Sequence, residues 1–124
     1  MTIDTLGDGK YISVTTFRKD GTAVATPVWL VRRHNELLVL TQANSGKVKR
    51  IRNNPDVLVA SCDARGLVTG DAVPGVAVLM DETQTHLTAN LIQHRYGFMG
   101  GMMDWLNEMR RGSGEHVGIA ITLS

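Results

Sequence analysis

The sequence contains few cysteine, proline and aromatic residues. Its 124 residues include one cysteine, Cys62, three prolines, two tryptophans, two tyrosines and two phenylalanines. A single cysteine excludes an intramolecular disulfide framework and is typical of a reducing compartment. No apolar run approaches the length of a membrane span, and residues 1–10 lack the basic and apolar regions of a secretory signal. We therefore expect a cytoplasmic protein.

The net charge is also small. Thirteen lysines and arginines are balanced by twelve aspartates and glutamates, so no global field would attract nucleic acid or an anionic membrane. The hydrophobic fraction of 43% is that of an ordinary folded protein. Because 124 residues suit one domain with one core, we expect residues 1–124 to form a single domain.

The hydrophobic pattern predicts mainly β-structure. Alternating and β-branched residues predict strands at residues 11–18, 23–33, 37–41, 57–62 and 76–80, and a closing strand through Val117, Ile119 and Ile121. Asp20-Gly21 predicts a tight turn between the first two strands. Pro27 lacks an amide donor and therefore predicts a strand edge or bulge. Six short strands favour a small antiparallel barrel with helices on one side, and a β-sandwich is the alternative.

The remaining segments are predicted to be helical or irregular. Val48 and Ile51 share one face of a short helix that Asn53-Asn54-Pro55 ends. Residues 70–75, which contain glycine and proline, are expected to form a loop. Two amphipathic helices are predicted further on, one through Leu87, Leu91 and Ile92, and one through Met99, Met102, Met103, Leu106 and Met109.

The basic residues are concentrated in one stretch. Six of the thirteen lie in residues 32–52, where Glu36 is the only acid. Ser45 and Gly46 precede four of them, so a hydroxyl, a pliable backbone and the amides of a starting helix could converge on a phosphate. A solvated positive surface is the alternative. A nucleotide P-loop is excluded, because Val48 stands where serine or threonine is needed.

Three motifs follow one another in the order known from one superfamily. They are Thr26-Pro27-Val28-Trp29, Leu40-Thr41, and the stretch from Ser45-Gly46-Lys47 to Asn54-Pro55. The sequence resembles the pyridoxamine 5′-phosphate oxidase-like split β-barrel superfamily, and within it the flavin/deazaflavin oxidoreductases of the branch dependent on coenzyme F420. The resemblance covers nearly the whole chain. It implies a mainly β protein, a six-stranded antiparallel split β-barrel with two or three short helices, that forms a homodimer.

The resemblance also implies a cofactor site at the subunit interface. Lys47 would clamp the cofactor phosphate with support from Thr41 and Lys49, and the cofactor ring would lie against residues 26–30. The implied cofactor-binding residues are Thr26, Pro27, Val28, Trp29, Leu40, Thr41, Ser45, Lys47 and Lys49. A core role is the alternative for Trp29.

One feature of this stretch bears on the choice of cofactor. Gly46 departs from the oxidase branch, where a second cation commonly sits, and this departure favours coenzyme F420 over FMN. Arg50 and Arg52 are expected to be surface residues.

The expected function is that of an F420-dependent reductase that transfers hydride to a small organic acceptor, such as an unsaturated or quinone-like compound. A reduced deazaflavin delivers hydride from its own ring, so no catalytic side chain is named. The alternatives are an FMN-binding pyridoxamine-phosphate-oxidase-like protein and a non-catalytic binder of a flavin, deazaflavin or tetrapyrrole. The four histidines lack metal-ligand spacing, and no aromatic residues interleave with residues 47–52, so we expect neither a metal nor a nucleic-acid partner.

Overall fold

Six antiparallel strands close into a barrel in the computed structural model, which describes residues 6, 11–43, 45–63, 65–96 and 116–123. The order around the barrel is β1-β2-β3-β6-β5-β4, and β4 pairs with β1 to close it. The strands are β1 (Tyr11–Phe17), β2 (Ala23–Arg33), β3 (Glu36–Gln42), β4 (Asp56–Ser61), β5 (Val73–Leu79) and β6 (His116–Leu123). The expected mainly β barrel is confirmed, and the β-sandwich alternative is wrong.

Two helices are described alongside the barrel. Helix α1 (Gly46–Asn53) connects β3 to β4, and helix α2 (Glu82–Tyr96) follows β5. The short helix predicted from Val48 and Ile51 is α1, and both side chains are buried. The helix predicted through residues 99–109 lies outside the described residues. Neither α1 nor α2 is long and apolar enough to span a membrane.

Tight turns connect the first three strands. The Asp20 carboxylate accepts a hydrogen bond from the amide of Thr22 at 2.9 Å, and Gly21 adopts a φ of 88°. That backbone conformation favours glycine, so the turn predicted from Asp20-Gly21 is confirmed. The turn between β2 and β3 places His34 at a φ of 55°.

The barrel interior is filled by the inward-facing residues of every strand. Because strand residues alternate between faces, each strand contributes its odd or even positions to this core. Ile51 of α1 joins the same cluster, so α1 is attached to the barrel by its apolar face. The strand residues of the cluster are Ile12, Val14, Val28, Leu30, Leu37, Val39, Val57, Val59, Ala77, Ile119 and Ile121.

The pairing between β2 and β3 covers only part of each strand. It runs from Arg33 opposite Glu36 to Leu30 opposite Val39. Pro27 lies beyond this region and is paired with β1, opposite Ser13. Pro27 therefore lies where β2 is paired on one side only, which agrees with the local strand edge that its missing amide predicts. The first half of β2 and the end of β3 diverge, and α1 begins shortly after β3 ends.

Strand β5 begins earlier than the sequence indicates. Residues 70–75 were expected to be a loop, but Val73, Pro74 and Gly75 belong to β5 and pair with β4. A Cβ atom at Gly75 would lie 3.1 Å from the Ile121 side chain and 3.1 Å from the carbonyl oxygen of Thr122. Gly75 therefore permits β5 and β6 to approach each other closely. A glycine in the sequence is compatible with a loop and with such a close approach, so the pattern alone does not distinguish the two.

Helix α2 packs on the outside of the barrel, against β6, β2 and β3. Its buried residues are Thr85, Thr88 and Ile92. Leu87 and Leu91 are 45% and 37% exposed. The predicted apolar face is therefore wrong for these two leucines and right for Ile92. Two threonines face the sheet in their place.

A buried hydroxyl of α2 forms a hydrogen bond with β6. Thr85 Oγ1 accepts a hydrogen bond from the amide of Gly118 at 3.0 Å, and Thr85 is 5% exposed. Thr85→Val keeps the side-chain shape but leaves that buried amide without its acceptor. We expect urea denaturation to show a free energy of unfolding lower by about 1–3 kcal/mol.

The matched control is Thr83→Val, because Thr83 is exposed on the same helix. Its free energy of unfolding should change by less than about 0.5 kcal/mol. Equal stability of the two variants would contradict a role for the Thr85 hydroxyl in holding α2.

Candidate functional site

A buried lysine lies where β3 ends and α1 begins. Lys47 is 9% exposed, and its Nζ donates a hydrogen bond to Thr41 Oγ1 at 3.5 Å. Ser45 caps α1, since its Oγ accepts a hydrogen bond from the amide of Val48 at 3.4 Å. This cap fixes the first turn of the helix, so that Lys47 faces the protein and not solvent. The structure thus brings together three residues expected at the site, Thr41, Ser45 and Lys47.

The environment of Lys47 opposes its positive charge. Burial, and secondly the charge of Arg50, lowers the pKa of Lys47 from 10.5 to about 8. Within the described part of the chain no carboxylate pairs with Lys47, and the first turn of α1 contains no acidic residue. A buried ammonium group without a counter-ion is costly, and a bound anion would remove that cost.

Arg50 is half-buried, so the expectation that it is a surface residue is wrong. Its Nε donates a hydrogen bond to Thr16 Oγ1 at 2.6 Å. Its guanidinium lies against Gly46, where a Cβ atom would be only 2.7 Å from Arg50 Nη1. Residues four apart on a helix are neighbours, and this spacing from Gly46 is the signal in the sequence that would have located Arg50.

Lys49 and Arg52 are exposed on the other side of α1. Two residues along a helix correspond to a rotation of about 200°, so Lys49 points away from Lys47. The structure does not bring Lys49 to the buried lysine, and its supporting contact with a phosphate stays a prediction.

The residues expected to line the cofactor ring are divided between the two faces of β2. Thr26 and Val28 face the barrel interior, whereas Pro27 and Trp29 face outwards. Thr26 Oγ1 is buried and has no hydrogen-bond partner among the described residues. Pro27 is exposed, and Gly66 lies beside its ring. A ligand on one face of β2 would therefore meet only two of these four side chains.

Trp29 and Leu40 belong to a small cluster between the barrel and α2. Leu40 is 2% exposed and packs with Ile92, and Trp29 is packed against them. The Trp29 ring also makes an edge contact with Tyr11, with ring centroids 5.7 Å apart. These contacts support the core role given above as the alternative for Trp29. Contacts of Trp29 and Leu40 with a ligand stay predictions.

A cavity of about 430 Å³ lies between the start of α2 and the start of β6. Arg52, Glu82, His86 and His116 are among its lining residues. Sequence reasoning missed this cavity, because these residues are distant in the chain and form no motif. The described residues contain no group of three histidines, cysteines or acids that could hold a metal ion.

Cys62 is half-buried and shows no sign of activation. Burial, and secondly the charge of Asp63, raises the pKa of its thiol. A raised pKa disfavours the thiolate, which is the nucleophilic form. In the described part of the chain, the site is thus suited to hold an anion and offers no activated cysteine nucleophile.

The barrel is similar to those of several solved proteins. An F420 reductase matches 99% of this chain and 93% of its own with 18% identity and a TM-score of 0.70. A Listeria innocua protein provisionally assigned as a pyridoxamine 5′-phosphate oxidase matches 98% of this chain and 90% of its own with 18% identity and a TM-score of 0.66. HutZ, the haem storage protein of Vibrio cholerae, matches 100% and 92% with 12% identity and a TM-score of 0.67.

The chain has the fold of these barrel proteins. No protein-family model and no curated protein matches its sequence. Proteins with this fold differ in what they are named for, namely F420 reduction, pyridoxamine phosphate oxidation and haem storage. Fold alone therefore does not select one activity, and the chemistry of the site has to do so.

Proposed function

We propose that the protein is a pyridoxamine 5′-phosphate oxidase-like barrel that binds a flavin or deazaflavin cofactor, with the cofactor phosphate held by Lys47. The observation that carries this proposal is the burial of Lys47, which is 9% exposed and has no carboxylate partner among the described residues. A ligand phosphate would supply the missing negative charge. The F420 reductase with the same fold supports a cofactor of this type.

The residues around Lys47 can hold such a phosphate in a defined position. Thr41 Oγ1 orients the Lys47 ammonium group, and the Ser45 cap fixes the start of α1. Within the described structure the amides of Gly46 and Lys47 donate to no acceptor, so they can add hydrogen bonds to an anion. Thr26 Oγ1, buried and without a partner there, can bond a polar edge of the cofactor.

The proposed activity is that of an F420-dependent reductase acting on a small organic acceptor, in a cytoplasmic homodimer. The bound reduced cofactor supplies the hydride, and the protein positions the reactants and excludes water. The outer face of β5 carries two exposed apolar side chains, Val76 and Val78, which support a contact between subunits. FMN is the alternative cofactor, because it also carries a phosphate.

The second candidate function is cofactor binding without turnover. The observation in its favour is that this fold also occurs in a protein that is not named for catalysis. HutZ, which is named for haem storage, has the same fold. Under this alternative, Lys47 would hold the same phosphate or a carboxylate of a tetrapyrrole, and no hydride would be transferred.

Titration of the purified protein with F420, FMN and riboflavin tests the proposal. Riboflavin carries the FMN ring without the phosphate, so FMN should bind at least about tenfold more tightly than riboflavin. F420 should bind more tightly than FMN if the proposed cofactor is right. Equal affinity for FMN and riboflavin, together with no binding of F420, would contradict a phosphate site.

A turnover assay then separates the reductase from the binder. Reduced F420 or FMN is mixed with the protein and a panel of quinone-like and unsaturated acceptors, and cofactor oxidation is followed by absorbance. Oxidation that depends on both protein and acceptor supports the reductase. Retention of reduced cofactor without oxidation by any acceptor supports the non-catalytic binder.

A further inference from the structure

We propose that Arg50 supplies a second cation to the phosphate site, in the space left by the missing side chain of Gly46. This inference rests on the proposed function, since it requires a phosphate at Lys47. It concerns a residue that the sequence pattern places on the surface.

The first observation is that the Arg50 guanidinium lies beside Gly46. A Cβ atom at Gly46 would lie 2.7 Å from Arg50 Nη1, so the guanidinium occupies the region that a side chain at position 46 would enter. Arg50 therefore reaches the first turn of α1 from one turn further along the helix. The cation expected at position 46 in an oxidase-type site is replaced by one from position 50.

The second observation concerns the hydrogen bonds of Arg50. Nε donates to Thr16 Oγ1 at 2.6 Å, and Thr16 is fully buried on β1. This bond holds the guanidinium in place. Its two terminal nitrogens make no hydrogen bond to any residue that the structure describes. No carboxylate among those residues forms an ion pair with the guanidinium. They are available to a phosphate, whose oxygens match the guanidinium geometry.

The third observation is that the positive charges of Arg50 and Lys47 are close enough to interact. The charge of Arg50 disfavours the charged form of Lys47, so the two groups repel each other in the free protein. A phosphate monoester carries about 1.5 to 2 negative charges near neutral pH, enough to neutralise both groups.

Three ligands with one ring test the proposal: FMN, the methyl ester of its phosphate, and riboflavin. They carry about two, one and no negative charges on the side chain. Their dissociation constants are measured by fluorescence titration for the wild type, Arg50→Gln and the control Arg52→Gln. Arg52 is the matched control, because it is exposed on the same helix.

Arg50→Gln should weaken FMN binding by about ten- to a hundredfold, weaken the methyl ester less, and leave riboflavin binding within twofold. Arg52→Gln should leave all three constants within about threefold. Arg50→Lys keeps the charge and should recover part of the FMN affinity.

The proposal is overturned if Arg50→Gln weakens FMN binding no more than Arg52→Gln does. It is also overturned if Arg50→Gln weakens riboflavin as much as FMN, because Arg50 would then act on the fold and not on the phosphate. Failure of the proposed function looks different, since the wild type itself would then bind FMN and riboflavin equally.

Discussion

Lys47→Met should weaken the binding of FMN or F420 by at least about tenfold and should not lower the stability of the free protein. A charge-assisted contact with a phosphate contributes about 1.5–3 kcal/mol, which is lost with the ammonium group. Methionine has a similar length and no charge, so it removes the cost of burying an unpaired cation. We expect the free energy of unfolding to be unchanged or raised by about 1 kcal/mol.

The opposite directions of these two effects make the test specific. If Lys47 served the fold, replacing it would lower the stability of the protein. If it serves a ligand, replacing it lowers only the affinity for that ligand. Arg52→Met is the control, because Arg52 is exposed on the same helix. It should change affinity by less than about threefold and stability by less than about 0.5 kcal/mol. A Lys47→Met protein that is less stable and binds FMN normally would disprove the phosphate clamp.

The affinity of the wild type for FMN should decrease as the pH rises from 7 to 9.5. The pKa of Lys47 is lowered to about 8 in the folded protein, so the free site loses its charge above that pH. Each further pH unit should then weaken binding by up to about tenfold. Because the bound phosphate favours the charged lysine, binding above pH 8 should take up a proton, which calorimetry in buffers of different ionisation enthalpy measures.

The stability of the free protein should change in the other direction. The unfolded lysine has a pKa near 10.5 and binds more protons than the folded one between about pH 8 and 10.5. The contribution of Lys47 to stability therefore rises with pH in this window and is lowest below pH 8. Lys47→Met should remove the pH dependence of FMN affinity and that of stability. Riboflavin is a second control, because it has the same ring without the phosphate and its affinity reports any ionisation of the ring. FMN affinity that stays constant from pH 7 to 9.5 would contradict a titrating lysine at the site.

Local patterns predicted the barrel strands well, because alternation, β-branched residues and turn residues are properties of neighbours in the chain. The strand through residues 23–33 and the turn at Gly21 follow directly from such patterns. The burial of Thr85 and Thr88 on α2 could not be predicted in this way. The Thr85 hydroxyl accepts a hydrogen bond from the amide of Gly118 on a distant strand. The Thr88 hydroxyl donates a hydrogen bond to Met80 Sδ, so both hydroxyls depend on residues outside α2.

In the candidate site, too, local features were predictable from the sequence and contacts with distant residues were not. The order of three motifs predicted Lys47, and the structure places it beside Thr41 as the motifs imply. The hydrogen bond from Arg50 to Thr16 could not be predicted, because the two residues are 34 positions apart in the chain and no local pattern joins them. Trp29 was ambiguous for a similar reason, since α2 supplies the residues that bury it.

A crystal structure of the protein with FMN or F420 bound is the most direct test of the central claim. The account predicts the cofactor phosphate within hydrogen-bond distance of Lys47 Nζ, about 2.7–2.9 Å, with the Arg50 guanidinium on a second phosphate oxygen. A cofactor phosphate bound elsewhere, for example in the cavity lined by Arg52 and His116, would contradict it.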